Sequence, residues 1–207
     1  MDTPALVTRL LDVIENDLVP LSRKRIVEGD KIFGAAILRK SDLSLVVGDT
    51  NNETNNPLWH GEIFTIKRFY ELPRESRPES RDCIFLATHE PCSLCLSGIT
   101  WSGFDNFYYL FSYEDTRDAF NIPHDIRILK EVYAVPDPDR EAPAKDRDYY
   151  NRDNAFFSSH SIPALVAGFD RGTKERLVAR IDDLSATYKE LSDIYQRDKG
   201  NKGIPLS

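Results

Sequence analysis

The run CIFLATHEPCSLC, Cys83 to Cys95, constrains this 207-residue chain more than any other stretch of it. Its first seven residues, Cys83 to His89, form a short apolar run of the kind found in a strand covered on both faces. The run then meets Pro91, which suits the first turn of a helix. Cysteines follow at i and i+3, a spacing that lets Cys92 and Cys95 point from one helical turn toward one spot. A buried strand is thus expected to deliver two thiols to a helix start. There the positive end of the helix favours the thiolate form that binds metal.

The rest of the chain builds a sheet around that strand. Ala5, Leu6, Leu10, Val13, Ile14 and Val19 recur at helical spacing, predicting an opening helix that ends by Pro20. Lys31–Arg39 and Leu43–Asp49 read as an antiparallel hairpin across the polar Lys40-Ser41-Asp42. Thr50–Pro57 is a loop dense in turn-forming residues, with Asn56 as the expected cap of a helix running to about Leu72. Beyond the cysteines come a helix over Leu94–Trp101, an aromatic strand over Phe107–Tyr113, and helical pattern over Glu114–Phe120 and Ile126–Val132. Alternating strands and helices predict an α/β sandwich whose second half is parallel. Val135–Asn154 carries prolines and many charges, so it reads as a long loop. Leu177, Ile181, Leu184, Tyr188, Leu191 and Tyr195 mark one apolar helix face, suited to the core or to a dimer seam.

Two cysteines do not complete a metal site. The other place where a histidine and an acid crowd an expected helix start is PLWHGEIF, with His60 and Glu62. A set of His60, Cys92 and Cys95 suits zinc and leaves the fourth tetrahedral position to water, as in catalytic sites. Glu62 lies two residues beyond His60, where a carboxylate can take a proton from that water. A structural site of four ligands, closed by His89 or Cys83, is the competing arrangement. Net charge of -7 leaves no basic surplus for phosphates. It disfavours nucleic acid and points to a small-molecule substrate. Three cysteines cannot pair evenly, and residues 1–19 carry acids and an arginine, so a cytoplasmic chain without a membrane span is expected.

His60-Gly61-Glu62 followed by Pro91-Cys92-Ser93-Leu94-Cys95 resembles the H-x-E and P-C-x-x-C motifs of the cytidine deaminase superfamily of zinc deaminases. The resemblance covers roughly Phe33 to Val132 and is most like the guanine and nucleobase deaminase branch. It implies a three-layer α/β/α sandwich with a mixed central sheet of about five strands. Residues 1–160 would be the zinc deaminase domain, including a long loop at 135–160. Residues 161–207 would form a helical tail packed on the domain or on a dimer partner. It further implies Zn2+ on His60, Cys92 and Cys95, with Glu62 as the catalytic acid-base. Asn52, or else Asn51, Gly61 and Asp125 would contact a free base or nucleoside, guanine-like favoured, in a homodimer. A tRNA adenosine deaminase shares these motifs, and a zinc module without catalysis is the alternative from another class.

Overall fold

The computed structural model describes residues 3–131 and 150–198. The part of the expected loop over residues 135–149 lies outside them. Five strands form one sheet: β1 (Gly34–Arg39), β2 (Leu45–Thr50), β3 (Cys83–His89), β4 (Asn106–Phe111) and β5 (Ser158–Ser161). Their order is β2-β1-β3-β4-β5. β1 pairs antiparallel with both β2 and β3, whereas β3–β4 and β4–β5 are parallel. The sheet is therefore mixed, and its parallel half follows the cysteine strand. Every residue of β3 and β4 is buried, as apolar central strands require.

Helices cover both faces. One face packs Leu38, Ile84, Leu86, Tyr108 and Leu110 against α1 (Pro4–Val13), α2 (Val19–Glu28), α7 (Ile162–Ala167) and α8 (Arg171–Asp198). On the other, Ala35, Ile37, Phe85, Ala87 and Phe107 meet residues of α3 (Gly61–Glu71) and α4 (Ser93–Trp101). Leu177, Leu184, Tyr188, Leu191 and Tyr195 of α8 are all buried within this chain. Among the described residues, no helix is long and apolar enough to cross a membrane.

Several expected boundaries move: the aromatic strand β4 ends at Phe111, and Tyr113 already belongs to the next helix. Pro20 does not end the opening helix: α1 passes through a π turn over Ile14–Leu18 directly into α2, with Pro20 in the first turn. The Val19 N–H bonds back five residues to the Ile14 carbonyl. The wider turn accommodates an imino acid that would clash with an unbroken α register. Asn56, in turn, is not a helix cap. Its side-chain oxygen accepts the Leu58 N–H in a local turn, and the helix starts only at Gly61, with His60 in the cap position. Asparagine side chains compete with the helical backbone in this way. β5 is a polar edge strand inside what the composition marks as the end of a loop.

Candidate metal centre

The centre lies where two helix starts meet at the ends of strands. His60 precedes α3, and Cys92 precedes α4 at the end of β3. Gly61 makes the approach possible: a Cβ there would lie 2.6 Å from the Phe33 carbonyl oxygen and 3.0 Å from the Gly34 Cα. The Gly61 N–H donates to the Asn51 side-chain oxygen at 3.0 Å, fixing the first turn of α3.

The three ligand candidates converge. Cys92 Sγ is 3.5 Å from His60 Nδ1 and 3.5 Å from Cys95 Sγ, and Cys95 Sγ is 3.8 Å from His60 Nδ1. Tetrahedral zinc with ordinary bond lengths places two sulfurs about 3.8 Å apart and nitrogen about 3.5 Å from sulfur. The donor set fits that geometry. His60, Cys92 and Cys95 could hold a metal ion, and both cysteines are unpaired thiols. Neither candidate for a fourth ligand joins them. His89 is enclosed by Phe33, Phe111, Phe120 and Tyr188, and Cys83 opens β3 with its thiol directed to the Glu79 carbonyl.

Electrostatics agree with the geometry. Burial works against a charged His60, but the Cys92 thiolate beside it, with Glu53 and Glu62, pushes it up to about 9. The Cys95 contact and His60 hold the Cys92 thiol well below its usual range. Burial and the Cys92 charge push Cys95 well above it. Without a metal, one thiol ionises at the other's expense; a dication removes that conflict.

Glu62 completes the inner group. It is buried, and its Oε2 accepts from the Cys95 thiol at 3.3 Å. Burial, reinforced by the Cys92 charge, raises it to about 7, near the range a proton carrier at neutral pH requires.

A cavity of about 350 Å³ opens on His60 and Cys92; Cys95 and Glu62 are not among its lining residues. Phe33, Leu58, Leu94 and Ile122 supply apolar wall, and Lys31, Glu53, His124 and Asp125 supply polar groups. Asp125 sits in the first turn of a helix over His124–Glu131, α6, which begins two residues before the expected start. Burial and the Cys92 charge raise its carboxyl to about 7. Asn52 and Gly61 are not among the lining residues. Asn52 is turned into its own loop, where its side-chain oxygen accepts from Asn55 and its N–H donates to the Trp59 carbonyl. Asn51 is fully buried and bonds Gly61 and Glu53. Sequence reasoning missed Lys31 and Glu53, because a lysine and a glutamate in polar surroundings read as solvated.

Residues 19–111 match the family described as the cytidine and deoxycytidylate deaminase zinc-binding region. The matched stretch is a little under half of the chain. The chain is 29% identical over 89 residues to guanine deaminase of Bacillus subtilis (strain 168), a match covering 42% of this chain and 54% of that protein. The chain thus spans about half the length of this curated relative. Among solved structures, it resembles guanine deaminase from Bacillus subtilis at 22% identity and a TM-score of 0.49, over 66% of this chain and 85% of that one. A structure from work on tRNA:A34 deaminases matches at 21% identity and a TM-score of 0.40, over 46% and 72% of the two chains. The matched stretch contains both helix starts and all three ligand candidates. α5 (Tyr113–Asp118), α6, β5, α7 and α8 lie beyond it.

Proposed function

We propose that this chain is a zinc-dependent hydrolytic deaminase of a small aminated heterocycle, a free base or nucleoside with a guanine-like edge favoured. The observation that carries this reading is the buried Glu62 carboxylate beside a His, Cys, Cys set of which His60 and Cys92 line an apolar-walled cavity. His60, Cys92 and Cys95 would hold the zinc, which supplies a Lewis acid that brings the acidity of water near neutrality. Glu62 would take one proton from the attacking water and pass it to the ring nitrogen, then carry the proton of the newly added hydroxyl to the amine, which leaves as ammonia while the C=O bond forms. Its buried position against the Cys95 thiol suits a group that must both take and give a proton. Phe33, Leu58 and Leu94 present apolar surface to a flat ring and exclude water, and Asp125 meets a ring N–H or exocyclic amine.

Among the described lining residues, the lysine, Lys31, is engaged by Glu53, so the cavity offers little to a phosphate backbone. Assembly as a homodimer would use a surface other than the α8 face, which is already buried. A strictly monomeric mass in solution would remove that part of the proposal.

A screen of free bases, nucleosides, triazines and a tRNA anticodon stem-loop for ammonia release tests the reading. Ammonia release from a base or nucleoside is expected, falling on the order of 10² to 10⁴-fold in Glu62→Gln with zinc retained. Turnover restricted to the stem-loop would transfer the reading to a tRNA deaminase, and zinc binding without any turnover would leave an assembly module. Asp125→Asn should cost about 1 to 3 kcal/mol in kcat/KM on the best substrate; unchanged kinetics would leave Asp125 as a residue of the helix start.

A further inference from the structure

Glu53 stands between the cavity and the histidine, and nothing in the deaminase chemistry described above uses it. Its side chain is buried to 1% exposure. One oxygen, Oε1, accepts from the Lys31 ammonium at 2.6 Å and lies 3.7 Å from His60 Nε2. The other, Oε2, accepts from the Asn51 side-chain amide at 2.6 Å. The oxygen of that same amide takes the N–H of Gly61, the residue after His60. A polar chain therefore runs from Lys31 through Glu53 and Asn51 to the backbone that follows His60, and brings a carboxylate oxygen near the His60 ring.

Burying an ammonium and a carboxylate costs several kcal/mol per ion before pairing offsets it. This pair is placed against the one ring nitrogen that faces away from the two thiols. His60 can bind through Nδ1 only if the ring's proton sits on Nε2. A carboxylate 3.7 Å away is too distant for a hydrogen bond but close enough to favour that proton and to make Nδ1 a better donor.

We propose that Glu53 is a positioning residue for the metal-ligating histidine: it holds the Nε2–H tautomer of His60, and Lys31 and Asn51 hold the Glu53 carboxylate in place. The proposal rests on the zinc reading of His60, Cys92 and Cys95. It concerns how tightly the ion is held, not which heterocycle is deaminated. Lys31 keeps the pair neutral overall, so the orienting carboxylate adds no net charge beside two thiolates.

The test is zinc affinity measured by competition with a chelator of known affinity, on the full chain and on Glu53→Gln, with the thermal midpoint of each metal-free form recorded alongside. Glu53→Gln keeps the shape of the side chain and removes its charge. The expected result is zinc held 10- to 100-fold more weakly, with a metal-free midpoint that also falls because the buried Lys31 ammonium loses its charged partner. Zinc affinity within twofold of the parent would overturn the proposal and leave Glu53 as half of a structural ion pair. Should Glu53→Gln fail to fold, 15N-histidine spectra of the zinc-loaded parent decide the matter. A His60 with metal on Nδ1 and a proton on Nε2 supports the assignment; metal on Nε2 overturns it. A parent chain that binds no zinc would overturn the zinc reading, and this proposal with it.

Discussion

On the histidine side of the centre, Lys31, Asn51 and Glu53 are buried and lie close together in the chain; the longest link, Lys31 to Glu53, spans 22 residues. On the cysteine side the buried carboxylate is Glu90, just before Pro91, and its partners come from far away. Glu90 Oε2 accepts the Tyr113 N–H at 3.1 Å, and Oε1 accepts from Tyr150 at 2.7 Å and Arg152 at 2.9 Å. Tyr150 and Arg152 follow Glu90 by 60 and 62 residues and lie beyond the matched region. Both carboxylates are buried, but their cations are not alike: the Lys31 side chain is 6% exposed and that of Arg152 is 39%. The loop that leads to His60 thus carries a dry local pair, and the start of the cysteine loop a long-range pair that water reaches. The two should respond differently when their cations are removed.

The largest effect is expected at Lys31. Lys31→Met strands the Glu53 carboxylate in a dry site with only Asn51 left to donate to it, a loss of about 3 to 5 kcal/mol in folding stability. Urea unfolding measures it. A cost below about 1 kcal/mol would show that Glu53 finds water or a proton, and the contrast between the halves would disappear.

Next comes Gly61→Ala. The new Cβ would press on the backbone of Phe33 and Gly34, which cannot rotate aside. Overpacking of this kind costs about 1 to 3 kcal/mol, and zinc affinity should fall with it, since His60 and Glu62 flank the displaced residue. Unchanged stability would mean that α3 can shift and that the histidine half is less rigid than its hydrogen bonds imply.

These residues also show what the sequence made legible. β3 has the expected bounds because five consecutive apolar residues, Cys83 to Ala87, leave a chain little choice, and the three ligand candidates are readable because metal chemistry demands particular side chains at particular spacings. Pro20 misleads because a π turn, invisible to spacing rules, absorbs it. The α3 start is displaced because Asn56 prefers a local turn. β5, with the sequence SSHS, has no apolar alternation to announce it; it is specified by β4 beside it. Glu53 and Glu90 are the least legible, since an acid buried against a lysine or an arginine looks in sequence like an acid in water. Their roles depend on partners that only the fold brings near.

Arg152→Met should cost less than Lys31→Met, about 1 to 2 kcal/mol, because Glu90 keeps the bonds from Tyr150 and the Tyr113 N–H and the lost cation is partly screened by water. Salt should reproduce part of this loss in the parent chain and hardly affect the Lys31 pair. An Arg152→Met variant as damaged as Lys31→Met would show that the long-range clamp is the stronger of the two.

His89, next to Glu90 in the chain, provides the reference case of a buried titratable group with no ion partner. Its Nδ1 is 2.9 Å from the Thr88 hydroxyl, and among the described residues its Nε2 has no partner. Burial among Phe33, Phe111, Phe120 and Tyr188 lowers its pKa from 6.5 to about 3. Between those values the unfolded chain takes up a proton that the folded chain refuses, so stability falls as pH drops below about 6.5. The loss reaches about 1 kcal/mol between pH 6 and pH 5 and continues toward pH 3. His89→Phe keeps an aromatic ring in an aromatic cage and removes the titration. Its stability should therefore decline less steeply than the parent's over that window, by about the same 1 kcal/mol. Parallel pH profiles would mean that His89 already carries its proton when folded. The aromatic cage would then have to stabilise an uncompensated charge that Glu53 and Glu90 each hold only with a cation beside them.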